Sequence, residues 1–218
     1  MSPASLPEYY SRRAAEYERI WHRDDRVRQA EQQQIATALA KTFHGRRVLE
    51  IACGTGYWTQ FVAPGAREMV AVDASAEMIE RARGKNFPAH LRFVRGDAYL
   101  LDFIGEEKFD GGLANFWFSH VPKSRRSEFL DAFHQRLLSG AAVFLADNVD
   151  VPGVGGQLVR RPGCEDTFKV RQLDDGSTHE VLKNYFEADE LQKIFSARGR
   201  DLVVHMGQCF WWLSYRLP

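Results

Sequence analysis

A short glycine-rich segment follows an apolar run that contains one carboxylate. Residues 48–59 read Val-Leu-Glu-Ile-Ala-Cys-Gly-Thr-Gly-Tyr-Trp-Thr. A strand that passes through a tight glycine turn into a helix is where an open α/β sheet binds a nucleotide-like ligand. We therefore expect the backbone of the turn, at Ala52, Gly54 and Gly56, to lie against such a ligand.

The carboxylate in this segment discriminates between two kinds of ligand. Dinucleotide sites place a pyrophosphate on a helix N-terminus and use the pattern G-x-G-x-x-G. Ala52 and Thr59 interrupt that pattern here, and Glu50 beside the turn would repel a pyrophosphate. A ligand with an ammonium and a sulfonium group and no phosphate is compatible with Glu50. The segment thus favours S-adenosylmethionine over a nicotinamide dinucleotide.

Further polar residues stand at or just past the ends of the next predicted strands. Asp73 ends the strand 68–73, 17 residues after Gly56, and Asp97 follows the strand 91–95. A carboxylate at the position of Asp73 can accept hydrogen bonds from both hydroxyls of a ribose. Either Ala74 or Met78 is expected to cover an adenine, although methionine also serves as core filler.

His120 is the candidate catalytic residue. It follows the predicted fourth strand, 109–116, on the side where an acceptor should enter. Histidine titrates near neutral pH and can take a proton from a hydroxyl group. Methyl transfer from a sulfonium needs such a base only when the acceptor must lose a proton, since a neutral thioether leaves. The alternative is a loop histidine that orders Ser119 or Pro122.

Alternating strands and helices predict how these residues are positioned. The pattern indicates a Rossmann-like, doubly wound α/β fold with a seven-stranded, mostly parallel sheet and helices on both faces. Strands at 202–206 and 209–215 are close enough to pair antiparallel, which makes the last strand antiparallel. We expect one domain over 1–218. It would carry an N-terminal helical cap at 1–44 and an inserted loop and hairpin at 151–186 that acts as a lid.

Two local details complete this prediction. A helix is expected from Ser124 to Leu138, ended by Gly140, and the first crossover helix is expected to begin at Tyr57. Asp174-Asp175-Gly176-Ser177 between two strand-like runs predicts the hairpin of the insert.

With this order of elements and the segment 48–56, the chain resembles the class I S-adenosylmethionine-dependent methyltransferases of the small-molecule type. The resemblance covers about residues 40–150, and the last three elements in outline. Ala52 departs from the family pattern, which most often has its first glycine there. The resemblance implies S-adenosyl-L-methionine as the cofactor and a methyltransferase activity.

The resemblance also implies roles for individual residues. Asp97 would accept from the adenine amino group, and the backbone N–H of Ala98 would reach a ring nitrogen. Asn115 would lie beside the methionine part of the cofactor, and Trp58 beside the glycine turn, unless Trp58 only packs on the sheet. Because an N-terminal helix folds over the site in similar enzymes, Tyr10 is a further candidate contact.

Composition narrows the partners. Lys and Arg together number 29, as do Asp and Glu, so no basic surplus points to a nucleic acid. Three distant cysteines give no disulfide framework and no zinc-site spacing, so no metal is expected. No signal pattern or membrane-length apolar run is present, which predicts a cytoplasmic protein without a membrane partner. Aromatic residues around the fourth strand favour an apolar or aromatic small-molecule acceptor, methylated on oxygen or nitrogen.

Two other functions stay open on the sequence alone. One is a non-catalytic, S-adenosylmethionine-binding regulatory or scaffold protein, and the other is an NAD(P)-dependent oxidoreductase. The oxidoreductase would need a pyrophosphate beside Glu50 and a third glycine that the segment lacks. The acceptor and the oligomeric state are not predicted.

Overall fold

The computed structural model describes residues 6–218, with the backbone alone at residue 7. The helices are α1 (Leu6–Arg13), α2 (Arg26–Phe43), α3 (Thr59–Val62), α4 (Ala76–Arg83), α5 (Arg126–Gln135) and α6 (Ala188–Ser196). The strands are β1 (Arg47–Ile51), β2 (Glu68–Asp73), β3 (Leu91–Arg95), β4 (Phe109–Asn115), β5 (Leu137–Asn148), β6 (Gln157–Arg160), β7 (Thr167–Gln172), β8 (Thr178–Leu182), β9 (Arg200–Met206) and β10 (Phe210–Arg216). Short 3-10 turns connect several of these elements.

Seven strands pair into one sheet in the order β3-β2-β1-β4-β5-β10-β9. The neighbours from β3 to β5 are parallel, and β10 is antiparallel to both β5 and β9. The predicted mostly parallel, seven-stranded sheet with an antiparallel last strand is confirmed. In such a sheet the carboxyl ends of β1 to β5 share one edge, and ligands bind outside that edge.

Helices cover both faces of the sheet, as the apolar runs of its strands require. Strands buried on both faces carry near-continuous apolar sequences. One face packs against α5 and α6, through Phe129, Phe133 and Leu191, and the other against α2, through Ile35 and Leu39. The apolar clusters on the two faces of the sheet thus position the strand ends at its carboxyl edge.

A buried carboxylate joins α2 to the turn between β9 and β10. Glu31 accepts hydrogen bonds from the backbone N–H groups of Gln208, Cys209 and Phe210, over 2.7, 3.0 and 2.9 Å. Three otherwise unpaired donors are satisfied in this way, since buried backbone groups need partners. The antiparallel end of the sheet is therefore fastened to the helical layer.

Two predicted helix boundaries were wrong. The predicted helix from Ser124 ends at Gln135, because Leu137 already pairs with Phe109 as part of β5. Gly140 does not end that helix. It lies inside β5 with φ +74, at an irregularity in the pairing of β4 with β5. The first crossover helix is also shorter than predicted, a single turn that starts at Thr59.

The segment 151–186 contains a second, separate sheet. The predicted hairpin is present as β7 and β8, and β6 adds a third antiparallel strand, which the sequence pattern did not indicate. We call β6, β7 and β8 the small sheet. Residues 1–5 of the predicted N-terminal cap lie outside the described residues, and α1 begins at Leu6. Of the helices described over residues 6–218, none has the length and apolar character needed to cross a membrane.

Candidate functional site

A cavity of about 380 Å³ opens at the carboxyl edge of the large sheet, between the loops after β1 to β4 and α1. Nine of the thirteen residues proposed from the sequence line it: Tyr10, Ala52, Gly54, Asp73, Ala74, Met78, Asp97, Ala98 and His120. The other four are not part of the cavity lining: Glu50, Gly56, Trp58 and Asn115.

The glycine-rich turn after β1 has a left-handed backbone. Ala52, Gly54 and Gly56 have φ values of +55, +57 and +77. Glycine adopts this conformation freely, whereas an alanine with its Cβ atom is strained by it. A Cβ atom on Gly56 would come within 3.1 Å of the Phe87 ring, so this glycine permits close packing away from the cavity.

Asp73, the last residue of β2, is bonded to the turn and still has capacity to bind a ligand. Its two carboxylate oxygens accept from the backbone N–H of Gly54 at 2.8 Å and of Ser75 at 2.9 Å. Burial raises the pKa of Asp73, although these backbone donors oppose that shift. A carboxylate offers about four acceptor positions. Two therefore remain, which fits a ribose diol.

Glu50 is buried beside the glycine-rich turn and does not line the cavity. Its side chain is 2% exposed, and the Thr59 hydroxyl donates to it over 2.6 Å. Burial raises the pKa of Glu50 to about 8, and the Asp73 charge adds to the shift. Glu50 thus links β1 to the start of α3, and its carboxyl group is largely protonated at neutral pH.

Asp97 shares its wall of the cavity with two residues that sequence reasoning missed. Asp97 accepts a hydrogen bond from the backbone N–H of Tyr99 at 2.9 Å, which shapes the loop after β3. The Arg125 guanidinium lies 3.8 Å from the centre of the Tyr99 ring, and both line the cavity. Arg125 is distant in sequence from Asp97 and Tyr99 and belongs to no recognisable motif, so no sequence signal identifies it.

A buried polar group lies unpaired behind the end of β4. Asn115 is 5% exposed, and within the described part of the chain neither of its amide atoms has a hydrogen-bond partner. The next residue, Phe116, has φ +58, an unusual backbone for a bulky side chain, and its ring stacks on Trp58 with centroids 5.4 Å apart. Trp58 therefore packs in the core. The Asn115 amide keeps a donor and an acceptor that no described residue satisfies.

His120 is held in one tautomer by two hydrogen bonds. Its Nδ1 atom lies 2.7 Å from the carbonyl oxygen of Leu182, which can only accept. Nδ1 therefore carries the proton, and Nε2 accepts from the Tyr10 hydroxyl at 2.9 Å. Burial, reinforced by the Lys183 charge, holds the pKa of His120 well below its ordinary value. His120 is a neutral imidazole with its basic atom directed toward α1.

A buried ion pair next to His120 joins the small sheet to the large one. The Lys183 ammonium group donates to Asp147 and to Ser119, both over 2.6 Å, and to Asn148 over 3.1 Å. Side chains of Lys183 and Asp147 are 2% and 0% exposed. Sequence reasoning missed Lys183, because a lysine just after a hairpin strand is usually a surface residue.

Known proteins agree with this arrangement. Residues 48–140 match a family model described as a methyltransferase domain. The solved structure of a complex of DhpI with S-adenosylhomocysteine (SAH) superposes with a TM-score of 0.75 at 26% identity, over 97% of this chain and 94% of that one.

Two curated relatives match more locally. Nodulation protein S of Rhizobium tropici is 36% identical over 63 residues, 28% of this chain and 26% of the relative. The cypemycin N-terminal methyltransferase of a Streptomyces species is 27% identical over 143 residues, 63% of this chain and 58% of the relative. The matches thus span less than two thirds of either curated relative.

Proposed function

From the premise that this chain has the fold and the domain of the class I S-adenosylmethionine-dependent methyltransferases, we propose that it transfers a methyl group from S-adenosylmethionine to an oxygen or nitrogen atom of a small-molecule acceptor. The observation that carries the proposal is the single cavity wall that brings together Asp73, Asp97 and His120. An enzyme that must align a methyl donor with an acceptor needs both in one enclosed space.

The wall of the cavity supports binding of the donor. Asp73 has two acceptor positions left for the ribose hydroxyls, and Asp97 with the Ala98 backbone would bind the adenine edge. Met78, 1% exposed, gives an apolar surface for the ring. The Asn115 amide at the end of β4, unpaired among residues 6–218, would suit the polar methionine part of the donor. S-adenosylmethionine, once bound, supplies an electrophilic methyl group on a sulfonium.

Tyr10 and His120 are proposed to meet the acceptor. Nε2 of His120 accepts from the Tyr10 hydroxyl, whose oxygen can still accept a hydrogen bond, and both residues line the cavity. An acceptor hydroxyl that donates to Tyr10 can pass its proton along this bond to Nε2. The low pKa of His120 makes it a weak base, so most of its contribution is to orient Tyr10 and to exclude water.

The inserted segment lies next to the cavity. Residues 151–186 are proposed to cover the acceptor end of the cavity, which is supported by the contact of Leu182 with the cavity and with His120. We also propose that the protein is cytoplasmic, on the basis of its three distant cysteines, and that it has no nucleic-acid partner, on the basis of the equal numbers of acidic and basic residues.

Calorimetric titration with S-adenosylhomocysteine tests donor binding. We expect saturable binding with one molecule per chain, and an absence of binding at high micromolar ligand contradicts the proposal. Transfer of a labelled methyl group to a panel of small acceptors then tests activity. Binding of the ligand without transfer to any acceptor would favour a scaffold role.

A further inference from the structure

A second cleft, of about 400 Å³, borders α1, which also lines the cavity. Its walls come from α1, from the following 3-10 turn and from the small sheet, and they include four arginines: Arg13, Arg19, Arg23 and Arg171. Two carboxylates, Glu16 and Asp174, also line it. The cleft is therefore open, polar and positively charged.

The two carboxylates are both engaged by one arginine. Arg19 forms ion pairs with Glu16 and with Asp174. Within residues 6–218, no ion pair with a carboxylate is formed by the other three arginines of the cleft. The cleft thus holds surplus positive charge that no protein group neutralises.

Arg171 is the most enclosed of the three. Its Nε atom is buried and finds no hydrogen-bond partner among the described residues. Burial would lower the pKa of Arg171, but the neighbouring hydroxyls of Tyr10 and Tyr9 outweigh that effect. A guanidinium is always charged and presents a planar fork suited to oxyanions. An enclosed donor without a partner leaves desolvation uncompensated, and an anionic ligand would compensate it.

Two other arginines converge on the same space. The Arg13 guanidinium lies over the rings of Tyr9 and Tyr17, at 5.8 and 5.3 Å from their centres. Arg23 is solvent-exposed, and its pKa is lowered first by partial burial and then by the charges of Arg28, Arg13 and Arg171. Like charges held this close repel one another unless an anion lies between them.

The cleft is adjacent to the proposed reaction site. Tyr9 lines the cleft and Tyr10 lines the cavity, and their rings are in edge contact with centroids 5.0 Å apart. Tyr10 also bonds to His120. Arg171 and the Tyr10 hydroxyl are also close enough for each to act on the pKa of the other, so the charge of the cleft lies next to the reaction site.

We propose that this cleft binds an oxyanion group of the methyl acceptor, so that the acceptor is a small organic acid or phosphorylated compound. This inference rests on the proposed methyltransferase function and names its substrate class. Arg171 holds the anionic group, Arg13 and Arg23 add charge at the rim, and the atom to be methylated lies beside Tyr10.

Calorimetric titration with inorganic phosphate, on protein saturated with S-adenosylhomocysteine, tests the inference. We expect saturable binding that Arg171→Gln weakens about ten- to a hundredfold, because a charge-assisted hydrogen bond and its fork are lost. Arg23→Gln, at an exposed position that tolerates substitution, should weaken binding less, and Arg171→Lys should retain part of it. Arg81→Gln, an exposed arginine on α4, is the matched control and should bind as the wild type does.

The outcomes separate the two proposals. Phosphate binding that is unsaturable, or equal in Arg171→Gln, Arg23→Gln and wild type, overturns the oxyanion site while bound S-adenosylhomocysteine leaves the methyltransferase proposal standing. Failure to bind S-adenosylhomocysteine contradicts the proposed function instead, and the phosphate titration still decides the cleft. In the acceptor panel, acids should be methylated faster than their matched neutral amides, and Arg171→Gln should remove that preference.

Discussion

The Tyr10 hydroxyl lies 2.9 Å from Nε2 of His120 and donates a hydrogen bond to it, which ties α1 to the loop that follows β4. The opposite ring nitrogen is bonded to Leu182 of β8. One imidazole therefore connects the helix above the cavity, the large sheet and the small sheet.

Acidification should destabilise the protein through His120. Its pKa lies well below the ordinary value of 6.5 because of burial and Lys183, so the unfolded chain binds a proton at a pH where the folded one does not. Stability is then fully present above about pH 6.5 and falls as the pH drops toward the folded pKa, by at most about 1.4 kcal/mol per pH unit.

Urea unfolding of wild type and His120→Asn between about pH 7.5 and about pH 5 measures this effect. The variant should have the flatter profile. His134 adds a slope of the same sign, since burial lowers its pKa to about 4, so His134→Asn should flatten the profile by its own share and leave the share of His120 in place. Equal slopes in wild type and His120→Asn contradict the prediction.

Asp73→Ala should weaken binding of S-adenosylhomocysteine. Each charge-assisted hydrogen bond to a ribose hydroxyl contributes about 1.5–3 kcal/mol, so we expect a loss of about 10- to 150-fold per bond in a calorimetric titration. Asp24→Ala changes an exposed aspartate of the N-terminal region and should leave the affinity unchanged. An unchanged affinity in Asp73→Ala, with the fold intact by circular dichroism, removes Asp73 from the binding site.

Breaking the ion pair of Lys183 with Asp147 should destabilise the fold. Lys183→Met leaves a buried carboxylate without its partner, at a cost of about 3–5 kcal/mol in the free energy of unfolding. The double variant with Asp147→Leu should lose less, because no uncompensated charge remains. Lys41→Met, exposed on α2, should change stability by no more than about 0.5 kcal/mol. A double variant that is less stable than Lys183→Met contradicts this account.

Ala52→Gly should stabilise the protein. The left-handed backbone of Ala52, with φ +55, costs an L-residue about 1–2 kcal/mol, and glycine removes that strain while adding about 0.5–1 kcal/mol of unfolded-state entropy. We expect a net gain of roughly 0.5–1 kcal/mol by urea unfolding. Ala40→Gly, on an exposed turn of α2, should have the opposite sign. A loss in both variants means that Ala52 is not strained.

The sequence predicted the elements whose patterns are local. Apolar runs buried on both faces indicated the strands from β1 to β5, and Asp175-Gly176 indicated the hairpin of β7 and β8. The cavity wall was also largely predictable, because residues just after parallel strands meet at one edge. The predicted helix ends were wrong where pairing between distant strands determines the boundary. Leu137 continues a helical sequence pattern but pairs with β4 as part of β5.

Residues that act through distant partners could not be predicted. Glu50 was expected near the ligand, and only the fold shows that Thr59 binds it beneath the turn. Lys183 and Arg171 carry charge that reads as solvated in a single sequence. They are buried because the small sheet packs on the large one, and the spacing of nearby residues in the sequence does not reveal that contact.

The separation of the two sheets has an evolutionary consequence. Asp73 ends a strand of the large sheet and Asp97 follows another, whereas Arg171 and Lys183 belong to the small sheet or directly follow it. The small sheet enters the chain after β5 and leaves it before α6, so its replacement does not alter the order of the strands that hold Asp73. Under the proposed function, recombination within this one interval would exchange the acceptor-binding residues of the small sheet while the residues proposed for the methyl donor stay the same.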